Sequence, residues 1–161
     1  MTTQQHGIRH GHYALEEAGR ISFLGATGCI KATQDDTNGG FCLVELVVPP
    51  HFRSVTPHWH AKTTEAFYVL EGTLAFTLAE QTFTVTRGGF VVAPPQTIHQ
   101  FWNPTAAPAT LLNLYTPAGF EAYFEELAAT FANAAFDSKL ANEIAAKYDQ
   151  FAPPSGGSSF D

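Results

Sequence analysis

Basic side chains are scarce in this sequence: eight Lys and Arg stand against fifteen Asp and Glu, for a formal charge of −7. With no basic run to displace counterions from a phosphate backbone, a nucleic-acid partner is not expected. Long apolar runs are missing as well. None approaches the roughly 20 residues that cross a bilayer, and the opening MTTQQHGIRHGH lacks the basic-then-apolar order of a secretory signal. No membrane association is expected, and the expected location is cytoplasmic. Cysteine is limited to Cys29 and Cys42, each in an apolar, strand-like stretch rather than a close CxxC pair. That argues for two buried small hydrophobes and against a disulfide or a zinc site.

What is abundant is aromatic surface: 14 Phe, 5 Tyr and 2 Trp in 161 residues, enough to fill a sandwich core or to line a pocket. The length is that of one ordinary domain. From residue 20 to residue 116 short β-type runs alternate with turn segments such as DDTNGG (35–40), PPHF (49–52), EG (71–72), RGG (87–89) and NPTAAP (103–108). Nine such runs need two sheets to bury their inner faces. After Pro117 the period changes. Phe120, Tyr123, Phe124, Leu127 and Phe131 form the stripe of an amphipathic helix, expected to pack on the outside of a sheet in preference to a role in substrate binding, or to join a dimer contact. A second helix is expected over 138–148, with Leu140, Ile144 and Tyr148 on one side. The predicted organisation is an N-terminal arm (1–19), an all-β body (20–116), C-terminal helices (117–150) and a flexible tail (151–161), the tail being rich in Pro, Gly and Ser.

The segment HWHAKTTEAFYVLEG (58–72) carries the chemistry. In a strand, residues i and i+2 share a face, so His58 and His60 aim together while Trp59 faces away. A turn over 61–64 lets Glu65 enter the next strand beside the two imidazoles. His99 is the one further histidine within a strand-like run of the β region, which makes it the candidate fourth ligand. His51 reads as a solvated turn residue, and His6, His10 and His12 as a loose tract on a flexible segment.

These residues resemble the two motifs of the cupin superfamily. His58, His60, Glu65 and Gly72 fit the first motif, with Phe52 where its leading glycine is expected; Gly88, Pro94, His99 and Asn103 fit the second, with Gln96 in place of its inner glycine. Both departures fall in turns rather than at ligands. The TPAGFEAYFEEL segment after the last strand also resembles, less diagnostically, the tail of the small single-domain cupins related to quercetin dioxygenase, and the resemblance as a whole implies a jelly-roll β-barrel with C-terminal α-helices and a homodimer.

Three imidazoles and a carboxylate suit one divalent transition metal ion, with Fe, Ni, Mn, Co, Cu and Zn all accepting such donors. The resemblance then implies a dioxygenase acting on an aromatic or enolisable hydroxyl compound, with dioxygen as co-substrate. Glu65 would take the substrate proton, its pKa raised by an apolar barrel and lowered by the ion to a balance near neutrality. Phe67, Phe76 and Phe101 are candidate pocket walls by strand alternation, or else plain core. The alternatives are a non-redox isomerase, cyclase or lyase on a hydroxylated small molecule, and a binding cupin without turnover.

Overall fold

A computed structural model of the chain describes residues 19–53 and 55–154. The expected N-terminal arm with its three histidines, and most of the expected tail, lie outside the described residues. Eleven strands and three helices are present among the described residues: β1 (Gly19–Phe23), β2 (Ala26–Ala32), α1 (Gln34–Thr37), β3 (Cys42–Val48), β4 (Trp59–His60), β5 (Thr64–Glu71), β6 (Thr73–Leu78), β7 (Gln81–Thr86), β8 (Phe90–Ala93), β9 (His99–Trp102), β10 (Ala109–Thr116), α2 (Glu121–Phe131), α3 (Ser138–Lys147) and β11 (Gln150–Phe151). Each of the nine runs expected from sequence is a strand here. The two-residue strand β11 is too short to leave a periodic trace, and β4 shows only in the alternation of His58, Trp59 and His60.

A six-stranded sheet runs β1-β2-β3-β10-β5-β8, and a three-stranded sheet runs β7-β6-β9. β4 and β11 pair with each other, and a single antiparallel bridge between His58 and His99 joins that ribbon to β9. The two layers face each other as a jelly roll whose ladders do not close into a continuous barrel. Alternation decides what fills the space between them. Along β3, Cys42, Val44, Leu46 and Val48 are buried while their neighbours are not; along β10, Ala109, Leu111, Asn113 and Tyr115 are the buried set. Both cysteines are buried and free. The inner face of β10 thus passes from apolar at Ala109 to polar at Asn113 and Tyr115, and Tyr115 lies in register with Glu65 of β5. The core fills one end of the roll and leaves the other for chemistry.

Gly72 of the first motif turns β5 into β6 at φ 78°, where a Cβ would meet Pro108 O at 2.8 Å. Only glycine fits. The buried Asn103 of the second motif is a loop clamp: its Nδ2 donates to the carbonyls of Val48, Pro49 and Ala107, and its Oδ1 accepts from the amide and hydroxyl of Thr105.

The helices depart from expectation in two respects. Gln34–Thr37, read as part of a turn, forms a one-turn helix because Thr33 and Asp36 make a capping pair, with Asp36 Oδ2 accepting from the Thr33 amide at 2.9 Å. In α3 the buried set is Ala141, Ile144 and Ala145, and Leu140 points outward. Asp137 caps α3, its Oδ1 accepting from the amides of Lys139 and Leu140.

Candidate metal centre and its cavity

Four side chains from different strands converge. His58 enters from the bridge beside β9, His60 from β4, Glu65 from β5 and His99 from β9, and their ligand atoms all lie within 4.8 Å of one another. All four are buried. Glu65 Oε2 stands 2.7 Å from His99 Nε2, 2.9 Å from His60 Nε2 and 3.5 Å from His58 Nε2.

The far nitrogen of every ring is tied down by the backbone. His58 Nδ1 donates to Thr56 O at 2.9 Å, His99 Nδ1 to Thr97 O at 2.8 Å, and His60 Nδ1 to Asp149 O at 3.0 Å. A carbonyl can only accept, so each Nδ1 carries a proton and each ring turns its Nε2 toward the centre, where it faces Glu65 Oε2. Glu65 is held in the same manner. Asn113 Nδ2 donates to its Oε1 at 3.0 Å and to Ala66 O at 3.2 Å, while the Tyr115 hydroxyl donates to Asn113 Oδ1 at 2.7 Å and fixes the amide's orientation. Three pre-aimed imidazoles and one positioned carboxylate in a dry pocket fit a divalent transition metal ion.

Electrostatics inside the cluster follow from this packing. Burial pushes the Glu65 carboxyl up, but hydrogen bonds from His58, His60 and His99 outweigh it and hold the group well below the ordinary carboxylate range. The balance near neutrality expected for Glu65 is therefore not met: the three rings already favour its charged form strongly. Burial lowers His58, more than the nearby Glu65 carboxylate raises it. In His99 burial also works downward, yet the shorter contact to Glu65 wins and the ring is raised. Burial pushes Tyr115 well up, reinforced by the Glu65 charge.

Beside the cluster lies a cavity of about 140 Å³, reached by His58 and Glu65. Phe101, Tyr115, Phe120, Tyr123 and Phe124 supply rings to it, and Thr56, Asn142 and Gln150 supply neutral polar groups. Among the described residues no lysine or arginine lines it. Tyr115 and Phe120 stack with centroids 4.2 Å apart, and Phe120 meets the His60 ring edge-on at 5.2 Å. Burial raises the Tyr123 hydroxyl to about 12, so it is a neutral donor at physiological pH.

Placement of the expected wall residues is mixed. Phe101 lines the cavity; Phe67 and Phe76 do not, and pack against each other at 5.1 Å in the core behind it. Alternation fixes the face of a sheet on which a side chain sits but not its depth along the roll, and both phenylalanines lie toward the filled end. The α2 stripe follows the less favoured of its readings: Phe120, Tyr123 and Phe124 line the cavity. His51 is exposed in its turn, as expected. Sequence reasoning missed Asn113, Tyr115 and Asp149. The first two had a signal, a polar pair on the inward phase of the apolar run LLNLYT; Asp149 had none.

Residues 44–115 match the cupin domain model. The chain is 30% identical over 98 residues to quercetin 2,3-dioxygenase of Bacillus subtilis, covering 61% of this chain but 28% of that protein, so it spans less than a third of that relative's length. Among solved structures, a sugar phosphate isomerase of the cupin superfamily from Silicibacter pomeroyi superposes with a TM-score of 0.58 at 23% identity, over 66% of this chain and 75% of the other. The polyketide cyclase RemF from Streptomyces resistomycificus gives 0.58 at 21% identity, over 66% and 79%. The two motifs, the jelly roll and these matches make the chain similar to the cupins, with a resemblance to quercetin dioxygenase across the β layers.

Proposed function

We propose that this chain is a metal-dependent dioxygenase that cleaves a flat, neutral, hydroxylated compound of the flavonol kind, with His58, His60, Glu65 and His99 as the metal ligands. The observation that carries the reading is Glu65: one side chain belongs both to the ligand cluster and to the wall of a ring-lined cavity. A divalent ion held there would supply Lewis acidity toward a substrate hydroxyl and redox coupling to dioxygen. Glu65 takes the hydroxyl proton, and Asn113 on its Oε1 keeps the carboxylate aimed while this happens. Phe101, Phe120 and Phe124 hold the flat substrate by stacking and edge contacts and exclude water around the electron-rich oxygen. The Tyr115 proton is committed to Asn113, which leaves its oxygen free to accept from a second substrate hydroxyl. A homodimer belongs to the same proposal.

A second reading, non-redox isomerase, cyclase or lyase chemistry, is favoured by the neutral donors and acceptors of the cavity, which would steer an enolate without dioxygen. Incubation of the metal-loaded protein with a flavonol, with and without air, separates the cases. Oxygen uptake with loss of the flavonol absorbance supports the dioxygenase, and anaerobic turnover supports the second reading. A shifted absorbance without turnover leaves a binding protein.

A further inference from the structure

Asp149 sits directly after α3 and its C-cap, on a left-handed backbone at φ 70°. From there it makes two kinds of contact with the ligand-bearing segment 86 to 89 residues earlier in the chain. Its carbonyl oxygen accepts from His60 Nδ1 at 3.0 Å. Its carboxylate fills the concave run of amides that follows His60: Oδ1 accepts from Ala61 N at 3.2 Å, and Oδ2 from Lys62 N, Thr63 N and Thr63 Oγ1, each at 2.9 Å. Such a run of amides is an anion-binding nest, and here its anion is supplied by the same chain. The next residues hold the arrangement in place. Gln150 pairs with His60 and Phe151 with Trp59, the Trp59 and Phe151 rings lie 5.0 Å apart, and Trp59 Nε1 donates to Ala152 O.

Resting on the metal-centre reading, we infer that Asp149 is a positioning residue for that centre. The C-terminal segment sets the tautomer and aim of His60 through one carbonyl, and through one carboxylate fixes the turn that brings Glu65 beside it. His58 and His99 need no such help, since each finds its carbonyl two residues upstream. His60 and the 61–63 turn depend on residue 149. A backbone atom that orients a ligand ring cannot be deleted by truncating a side chain, so the two contacts are separable by mutation. Asp149→Gly keeps the carbonyl, accommodates the positive φ and empties the nest. Gln150→Pro pushes residue 149 toward extended φ/ψ, away from its left-handed φ of 70°, and so displaces the carbonyl.

The test is Co²⁺ binding to the full-length wild type and both variants, read by visible absorption and by competition with a chelator, with thermal melts as the control for folding. Losing an outer contact to a metal ligand costs about 10–100-fold in affinity. The expected result is a loss in that range for Gln150→Pro and a smaller, distinct loss for Asp149→Gly, with a changed Co²⁺ spectrum in the former. Wild-type affinity and spectrum in both variants overturn the positioning role while leaving the metal centre standing. Absence of Co²⁺ binding in the wild type overturns both. As a readout independent of the ion, the His60 Nδ1 proton should give a slowly exchanging NMR signal in the metal-free wild type that Gln150→Pro removes; its survival in that variant counts against the inference.

Discussion

Position 96 illustrates what a motif can and cannot tell at the scale of one residue. Glutamine stands where the family motif has glycine, yet the backbone keeps the left-handed conformation at φ 66°, and the Gln96 amide donates to His60 O at 2.6 Å. The turn is held by that hydrogen bond, which offsets the roughly 1–2 kcal/mol that a side chain costs there. The clustering of His58, His60, Glu65 and His99 was legible because spacing in strands dictates facing. Asn113 was not, because an asparagine inside an apolar run says only that some partner exists. Replacing His58, His60 or His99 by alanine is expected to lower metal occupancy sharply, as elemental analysis of the purified variants would report; full occupancy removes that residue from the ligand set. Glu65→Gln should keep much of the metal and lose turnover, and retained activity would reassign the carboxylate to a structural role. Asn113→Ala strips Glu65 of one donor and leaves the Tyr115 hydroxyl without its acceptor, both buried. A loss of about 1–3 kcal/mol for each unmade contact is expected in denaturant titration, and a stability equal to wild type would show that water replaces the amide.

At the scale of elements, the strands were readable from their period and bounding turns, β4 only through the alternation of His58, Trp59 and His60, whereas α1 and β11 were not. Four residues in a capped turn, or two in a ribbon, carry no period, and the β4–β11 pair depends on contact between residues about 90 positions apart. The cavity wall formed by α2 was undecided for a related reason. A helical stripe announces that one face is buried but not against what. The seam at Asp149 makes its own prediction about pH. Partial burial pushes this carboxyl up, but the amides of Lys62 and Thr63, the Thr63 hydroxyl and the Ala61 amide outweigh it and hold the group below the usual carboxylate range. Because the folded value lies beneath the unfolded one of about 3.9, the seam contributes fully above that pH and is lost as the pH falls through the folded value. The gap in melting temperature between wild type and Asp149→Asn should therefore be constant near neutrality and shrink below about pH 4. A gap unchanged down to pH 3 would mean that the charge of Asp149 contributes nothing.

For the whole molecule, the two-layer architecture was plain in the order of runs and turns, but the apportioning of aromatic surface was not. The α2 rings expected to be left over for a partner are consumed within the chain: Phe120, Tyr123, Phe124 and Leu127 are all buried. The apolar residues that remain exposed include Phe90, Tyr68 and Val92, brought side by side on the outer face of the large sheet by the β5–β8 register. Phe90, the most exposed of them, is 62% accessible. A homodimer should accordingly use this face, and Phe90→Lys should convert it to monomer in light scattering. A wild-type mass of 17.4 kDa would dismiss the pairing altogether.

The unequal reach of the three backbone tethers has a consequence for how the protein is made. As a nascent chain leaves the ribosome, His58 acquires its tether at once and His99 as soon as its own strand emerges, whereas the one for His60 arrives 89 residues after that ring. Translation arrested before codon 149 would yield a polypeptide containing every proposed donor yet poorly able to retain the proposed ion.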